Sequence, residues 1–160
     1  MKAVIDSDVL IDYLQGIPKT KVEISRYSSP HYSVISWMEI MCGAEGEIEW
    51  KAARALLESM QQVDLSKRIA EIAVSERKKQ GLKLPDAVIL ASADSEGCIL
   101  VMRNTKDFDQ NDPRVRFPYS LRPKRLGDLV FCRNRNRKKI PVRTIHGRYP
   151  IQTPAAPNPV

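Results

Sequence analysis

Polar and apolar residues form two kinds of segment along this chain. Short segments of strand-like composition predict four β-strands, at Ala3–Ile5, His31–Ile35, Gln62–Leu65 and Cys98–Met102. Between them, apolar residues recur at helical spacing, which predicts helices over Val9–Leu14, Lys19–Tyr27, 36–43, Glu47–Met60, 66–80 and Asp86–Ser95. Because strands and helices alternate in this order, we expect an α/β fold with a mainly parallel central sheet.

Two serines are predicted to start helices. Ser36 stands three residues before Glu39, which is the spacing of a capping box. Ser66, or Asp64 before it, precedes a long amphipathic segment that ends at Gly81. For the Glu47–Met60 helix, the predicted apolar face consists of Ile48, Ala52, Ala55 and Leu56.

The excess of positive over negative charge lies in the last quarter of the chain. The 160 residues carry a formal net charge of +7. Residues 1–120 contain 16 lysines and arginines against 18 acids, whereas residues 121–160 contain ten against Asp128 alone. The same last quarter holds six of the eleven prolines, which disfavour helices and central strands. We therefore expect a globular domain over residues 1–121 and a basic, proline-rich, irregular extension over residues 122–160.

Composition also argues against several classes of protein. The cysteines Cys42, Cys98 and Cys132 match no disulfide framework or metal-binding spacing, so we expect reduced thiols. With only His31 and His146 as candidate bases, Ser–His and Cys–His nucleophilic catalysis are disfavoured. No apolar run approaches the roughly 20 residues of a membrane span, and the early aspartates do not suit a signal peptide. A cytoplasmic protein without membrane association is the expectation.

Four acidic residues flank the predicted strands. Asp6 ends the first strand, and Glu39 lies shortly after the second. Asp86 starts the helix that leads into the Cys98–Met102 strand, and Asp107 follows that strand. Because functional groups gather at the carboxyl ends of parallel strands, we expect these four carboxylates to meet at one edge of the sheet.

Carboxylates held close together repel one another, and a divalent cation relieves that repulsion. Oxygen ligands without Cys or His suit Mg²⁺ or Mn²⁺ better than Zn²⁺. Such a site can activate water and neutralise a scissile phosphate. The chemistry expected from this set of residues is therefore metal-assisted phosphodiester hydrolysis.

Each acid also has a local explanation. Asp86 can serve only to complement a helix dipole, Glu39 can complete a capping box, and Asp107 can be a solvated turn residue. Asp6 is the hardest to explain locally, because an acid directly after a buried strand needs a partner.

Four segments of the chain occur in the order and approximate spacing seen in PIN-domain ribonucleases, and the chain most resembles the VapC-type toxins among them. These segments are VIDSDVLIDYL, SVISWMEIMCG, KLPDAVILASA and VMRNTKDF. A fifth, DPRVRFPYSL, resembles the segment with which many such toxins end. The resemblance covers about residues 1–121 and leaves the basic extension unexplained.

The resemblance implies a three-layer α/β/α fold and an Mg²⁺- or Mn²⁺-dependent endoribonuclease. It implies that Asp6 is the central metal ligand, that Asp86 and Asp107 are further metal-side acids, and that Glu39 completes the catalytic set through water. It also implies an RNA substrate, a cognate antitoxin that blocks the site, and a toxin homodimer. By position, the residues near the substrate are Ser7, Asn104 and Thr105.

Two other functions stay open. Asp6-Ser7-Asp8 after a strand resembles the loop of haloacid-dehalogenase-type phosphatases, where Asp6 would be the nucleophile and Asp8 the acid/base. That family usually places small residues next, whereas Val9-Leu10-Ile11 follow here. The other is a catalytically inactive PIN fold that binds RNA or a partner, although such a module would be expected to have lost one of the four acids.

Three further features complete these expectations. In a nuclease, Asp8 is expected to cap the first helix, and the role of Asp109 is open. The run Arg133–Lys139 either neutralises RNA phosphates or belongs to a solvated extension without a role.

Overall fold

The computed structural model describes residues 1–121. The predicted extension over residues 122–160 lies outside the described residues. The strands are β1 (Lys2–Ile5), β2 (Ser29–Ser33), β3 (Gln61–Val63), β4 (Ile99–Val101) and β5 (Val115–Arg116). The helices are α1 (Ser7–Leu14), α2 (Pro18–Ile24), α3 (Val34–Gly43), α4 (Gly46–Glu58), α5 (Lys67–Gln80) and α6 (Leu84–Ser95).

All neighbouring strands pair in parallel, in the order β3-β2-β1-β4-β5. Strand β1 lies at the centre, where Val4 is in register with His31 of β2 and Leu100 of β4. Ala3 and Ile5 face one core and Val4 faces the other, and all three are fully buried. An apolar run without polar positions is what a strand covered on both faces requires.

Helices cover both faces of this sheet, which confirms the predicted three-layer α/β/α fold. One core joins the sheet to α1, α3 and α4, with buried members that include Ile5, Val9, Leu10, Ile40 and Leu57. The other joins it to α5 and α6, with buried members that include Val4, Ile69, Ala73, Leu90 and Leu100. Helix α6 is buried throughout its middle because its small and apolar residues let it pack against both the sheet and α5.

The predicted start of α3 was wrong. Strand β2 ends at Ser33, and this residue is the N-cap, since its Oγ accepts a hydrogen bond from the backbone N–H of Ile35 at 3.3 Å. Ser92 of α6 donates to the same Ser33 Oγ at 3.2 Å. Ser36 is instead fully buried inside the first turn of the helix. The expected capping box between Ser36 and Glu39 is therefore not formed, and Glu39 needs another explanation.

The predicted core face of α4 was also wrong. The buried residues are Ala53 and Leu57, which lie one helical turn apart. Of the predicted face only Leu56 is partly buried, and the exposed members are Ile48, Ala52 and Ala55. The apolar residues of this helix are compatible with two adjacent faces, and packing against α3 and β3 selects one of them.

Strand β5 was not predicted, because two residues are too few to produce a periodic pattern. Arg114, just before it, ties this strand to both helices of one layer. Its guanidinium contacts Glu76 of α5 at 3.0 Å, Asp94 of α6 at 2.9 Å and Asp112 at 2.7 Å. Pairing of Val115 with Leu100 then completes the sheet.

Two further expectations can be compared with the described residues. Among them, Cys42 and Cys98 are free thiols, as expected, while Cys132 lies outside this part of the chain. No helix within residues 1–121 has both the length and the apolar character that a membrane crossing needs.

Candidate functional site

Asp6 stands at the carboxyl end of the central strand β1, where the chain turns into α1. Its backbone N–H donates to the carbonyl oxygen of Val101 at 2.9 Å, so it stays tied to the end of the neighbouring strand β4. Asp6 is the N-cap of α1, but its side chain makes no capping hydrogen bond. Only 7% of the residue is exposed. A carboxyl group is thus buried at the adjoining carboxyl ends of two parallel strands.

Glu39 reaches this place from α3. Ser7, the first residue of α1, donates from its Oγ to Oε2 of Glu39 at 2.5 Å. Ser7 is buried and Glu39 is exposed, so the hydroxyl holds an acid at the rim of the site. Glu39 is therefore fixed by a residue 32 positions away in the sequence rather than by a capping box in its own helix.

Asp8 binds the loop after β4 and does not cap α1, so its predicted role was wrong. Its carboxylate accepts the backbone N–H of Arg103 at 3.0 Å and that of Asn104 at 2.8 Å. This pairing holds residues 103 and 104 next to the start of α1. The N-cap position of α1 belongs to Asp6.

Asp86 and Asp107 come from helix α6 and from the loop after β4. Asp86 lies in the first turn of α6 and is partly buried. Asp107 lies in the loop after β4, where its Oδ2 accepts Nζ of Lys83 at 3.0 Å and Nδ2 of Asn104 at 3.1 Å. Lys83 holds the pKa of Asp107 below its ordinary value. One acid of the predicted set is thus already paired with a cation of the chain.

Burial and neighbouring acids raise the pKa of Asp6 and of Asp86. Burial raises the pKa of Asp6 well above its ordinary value, and the charges of Asp8 and Glu39 raise it further. Burial is also the main cause of the raised pKa of Asp86, followed by the charge of Asp107 and, more weakly, those of Glu39 and Asp8. Five carboxyl groups from four segments of the chain therefore act on each other electrostatically at one edge of the sheet.

Within residues 1–121, however, no group of three or more His, Cys, Asp or Glu side chains is arranged so that it could hold a metal ion. Three of the five acids have other partners: Asp8 binds backbone N–H groups, Asp107 binds Lys83 and Glu39 binds the hydroxyl of Ser7. The five acidic side chains lie in one region of the molecule, but they do not surround a single point where an ion could bind.

The residues expected near a substrate differ in their contacts. Ser7 is occupied by Glu39. Asn104 is exposed and uses its side chain inside the loop, where Oδ1 accepts the N–H of Lys106 at 3.1 Å. Thr105 is exposed in the same loop. Asp109 accepts hydrogen bonds from Asn111 of the same loop, and it lines a pocket together with Asp107.

The sequence analysis did not predict the contacts of Asp12, which support the loop that Asp8 binds. Asp12, one helical turn further along α1, is almost fully buried. Its Oδ2 forms an ion pair with Nε of Arg103 at 2.8 Å and accepts the hydroxyl of Tyr119 at 3.1 Å. The available signal was an acid on the apolar side of a short helix, since a buried carboxylate requires a partner.

One family model and several solved structures match this chain. The sequence model for the PIN domain matches residues 3–112. A toxin–antitoxin complex from Klebsiella pneumoniae contains a chain that is 37% identical, with a TM-score of 0.70, and the match covers 74% of this chain and 99% of that one. No curated protein matches the sequence.

Two more distant solved structures share the fold. A DNA-bound VapBC from Salmonella typhimurium is 21% identical, with a TM-score of 0.57, and the match covers 72% of this chain and 96% of that one. FitAcB from Neisseria gonorrhoeae is 18% identical, with a TM-score of 0.58, and the match covers 72% of this chain and 97% of that one.

Proposed function

This chain belongs to the PIN domain family, and from that membership we propose that it is a metal-dependent endoribonuclease, the toxin of a VapBC-type toxin–antitoxin module. The observation that carries the proposal is the group of carboxyl groups at the carboxyl ends of β1 and β4, where burial and neighbouring acids raise the pKa of Asp6 and Asp86. Ligand and catalytic sites of open parallel sheets lie at this edge.

The donor chemistry of the site fits a hard divalent cation. Its candidate ligands are all carboxylate oxygens, which suit Mg²⁺ or Mn²⁺. Asp6, Asp86 and Asp107 would hold the ion, and Asp107 would have to release Lys83 to do so. A bound cation would supply a water of lowered pKa and neutralise charge on the scissile phosphate.

The protein's own residues supply positioning and proton handling. Glu39, held by the hydroxyl of Ser7, would orient the attacking water and accept its proton. Asp8 fixes the backbone of Arg103 and Asn104, which keeps the loop that bears Asn104 and Thr105 beside Asp6. Ser7, Asn104 and Thr105 would then lie on the substrate side of the carboxylates.

The same contacts disfavour the phosphatase alternative. A phosphatase of that type needs the second aspartate of Asp6-Ser7-Asp8 free to exchange a proton with the substrate. Here the Asp8 carboxylate is occupied by two backbone N–H groups. An inactive PIN module is disfavoured because all four candidate acids are present.

The proposed partners are RNA, a cognate antitoxin and a second copy of the chain. The 37% identical Klebsiella pneumoniae protein belongs to a toxin–antitoxin complex, which supports an antitoxin. Large apolar side chains are exposed on neighbouring helices α3 and α4, and they offer a surface for protein contacts: Trp37, Met38, Ile48 and Trp50. A ribonuclease toxin acts where RNA is, so we place it in the cytoplasm.

Removal of divalent metal is expected to stop RNA cleavage. Purified full-length protein should cut total RNA in the presence of Mg²⁺ or Mn²⁺, and excess EDTA should abolish the products, because the carboxylates cannot activate water without a cation. Mapping the new 5′ ends identifies the substrate in the same experiment. Cleavage that persists undiminished in EDTA would contradict metal dependence.

Truncation after Leu121 is expected to leave metal-dependent cleavage intact. Both cores and all five candidate carboxyl groups lie within residues 1–121, so this segment is proposed to be the nuclease domain. The check is the cleavage rate of the truncated and full-length proteins at equal concentration, with circular dichroism to establish folding. A folded but inactive truncated protein would place part of the active site in residues 122–160.

A further inference from the structure

A cleft of about 330 Å³ opens between α2 and the segment that follows β5. We call it the basic cleft, because three of its lining residues are cationic: Lys19, Arg26 and Arg116. Glu23 and Tyr119 line it as well. Its volume is at the lower end of the roughly 300–1,000 Å³ found for small-molecule pockets, which suits one nucleotide unit rather than a folded partner.

Glu23 organises the cations of the basic cleft. This buried carboxylate binds Nε of Arg116 at 2.6 Å and Nε of Arg26 at 3.2 Å, and it accepts the hydroxyl of Tyr27 at 2.8 Å. Within residues 1–121 no ion pair involves Lys19, which is exposed. Three cations against one acid leave a formal charge of +2 in a domain whose residues 1–120 carry −2.

The basic cleft is connected to the acidic site by a short series of contacts. Tyr119 lines the cleft and donates its hydroxyl to Asp12 of α1. Asp12 pairs with Arg103, whose backbone N–H is bound by Asp8. Asp8 and Asp12 are one helical turn apart on α1, so these contacts link the cleft to the end of α1 that bears the carboxylates.

We propose that the basic cleft binds a backbone phosphate of the RNA, on one side of the bond that is cleaved. The inference rests on the proposed ribonuclease function and names the part of the site that holds the substrate chain. A cluster of acids repels RNA, so a neighbouring set of cations must supply the attraction. Guanidinium groups held in place by a buried carboxylate are preorganised for phosphate oxygens.

The phosphate site also has an aromatic wall. The hydroxyl of Tyr119 is used by Asp12, which fixes the side chain of Tyr119 at the edge of the cleft. A fixed aromatic ring next to a phosphate-binding group is the arrangement by which proteins hold single-stranded nucleic acid. Single-stranded RNA is therefore the class of ligand that the cleft favours.

Replacing Lys19 and Arg26 together by Ala is expected to weaken RNA binding and its dependence on salt. Binding of a fluorescent single-stranded oligonucleotide is measured from 50 to 300 mM KCl on full-length protein that also carries Asp6→Asn, so that cleavage does not interfere. Loss of one phosphate contact should lower the slope of log affinity against log salt by about 0.7. Arg116 stays in place, so Glu23 keeps a partner.

The matched control removes two charges next to strand β3, which lies at the opposite side of the sheet from β5. Lys67 and Arg68 are exposed at the start of α5, which follows β3, and their double Ala variant should keep the parent slope. Equal slopes in the cleft variant and its parent, with folding verified by thermal melting, would overturn the phosphate site. So would a cleft variant that binds RNA normally but loses its antitoxin. Metal-dependent cleavage by the wild type tests the ribonuclease function separately.

Discussion

Replacing Asp6 by Asn is expected to reduce metal-dependent RNA cleavage by roughly 10²–10⁴-fold, the range that loss of an essential catalytic group typically produces. Asparagine keeps the size of the side chain and removes its charge. Asp6 is buried between the ends of β1 and β4, so the change removes a negative charge from the centre of the proposed site. The rate is measured on a defined oligonucleotide chosen from the mapped cleavage sites.

The same Asp6→Asn change is expected to stabilise the metal-free protein at neutral pH. Burial and the charges of Asp8 and Glu39 raise the pKa of Asp6 in the folded state above its unfolded value. The folded protein therefore binds the proton more tightly, and stability falls as pH rises through the raised pKa. Asn cannot ionise, so the variant should show a higher Tm at pH 7 and lose this part of the pH dependence.

Activity and stability that move in opposite directions would distinguish a functional residue from a structural one. Glu58→Gln is the matched control, because this exposed acid forms an ion pair with Arg54 of its own helix α4. It should change neither quantity. Asp86→Asn should lose activity as Asp6→Asn does. Full cleavage by both the Asp6 and the Asp86 variants would refute the proposed site.

Replacing Arg114 by Met is expected to lower the free energy of unfolding by about 2–3 kcal/mol. The change leaves Glu76, Asp94 and Asp112 without their shared cation. Breaking a fully buried ion pair costs roughly 3–5 kcal/mol. We expect a smaller loss here than for a fully buried pair, because 34% of the arginine side chain is exposed and water screens part of the interaction. Urea denaturation followed by circular dichroism measures the effect.

The loss caused by Arg114→Met should shrink in acid. Arg114 holds the pKa of Glu76 and Asp112 below their ordinary values. A carboxyl group with a lowered folded-state pKa contributes stability above its unfolded pKa and loses it as pH falls through the folded value. The difference between variant and wild type should therefore be largest near neutral pH.

Lys51→Met provides the comparison for Arg114→Met. Lys51 forms one exposed ion pair with Glu47 on α4, and pairs of this kind contribute roughly 0.3–0.5 kcal/mol. An Arg114 variant no less stable than the Lys51 variant would mean that β5 is held by its strand pairing alone.

Long local patterns were sufficient to predict several elements. The apolar run of β1 and the small residues of α6 indicate elements buried on more than one side, and both lie where the structure is most buried. Helix α5 was predicted with both ends, because Ser66 caps Ile69 and Gly81 adopts a φ of +71°. Such signals depend on neighbouring residues alone, so they can be recognised in the sequence without knowledge of the tertiary structure.

Local patterns gave a wrong prediction where two positions in the sequence suited the same structural role. Ser33 and Ser36 both suit an N-cap, and contacts with Ser92 and Ile35 assign that position to Ser33. The face of α4 was ambiguous in the same way until packing selected Ala53 and Leu57. Strand β5 carries no pattern, and it forms because β4 and Arg114 hold it.

The sequence by itself determined which acids follow which strands, because the end of an apolar run is visible in the chain. Only the tertiary structure decided which of these acids have partners. Asp8 is bound by residues 103 and 104, Asp107 by Lys83 and Glu39 by Ser7, over separations of 24 to 96 residues. The basic cleft likewise combines α2 with residues after β5. No local pattern encodes such pairs, since they depend on how the packed layers bring distant side chains together.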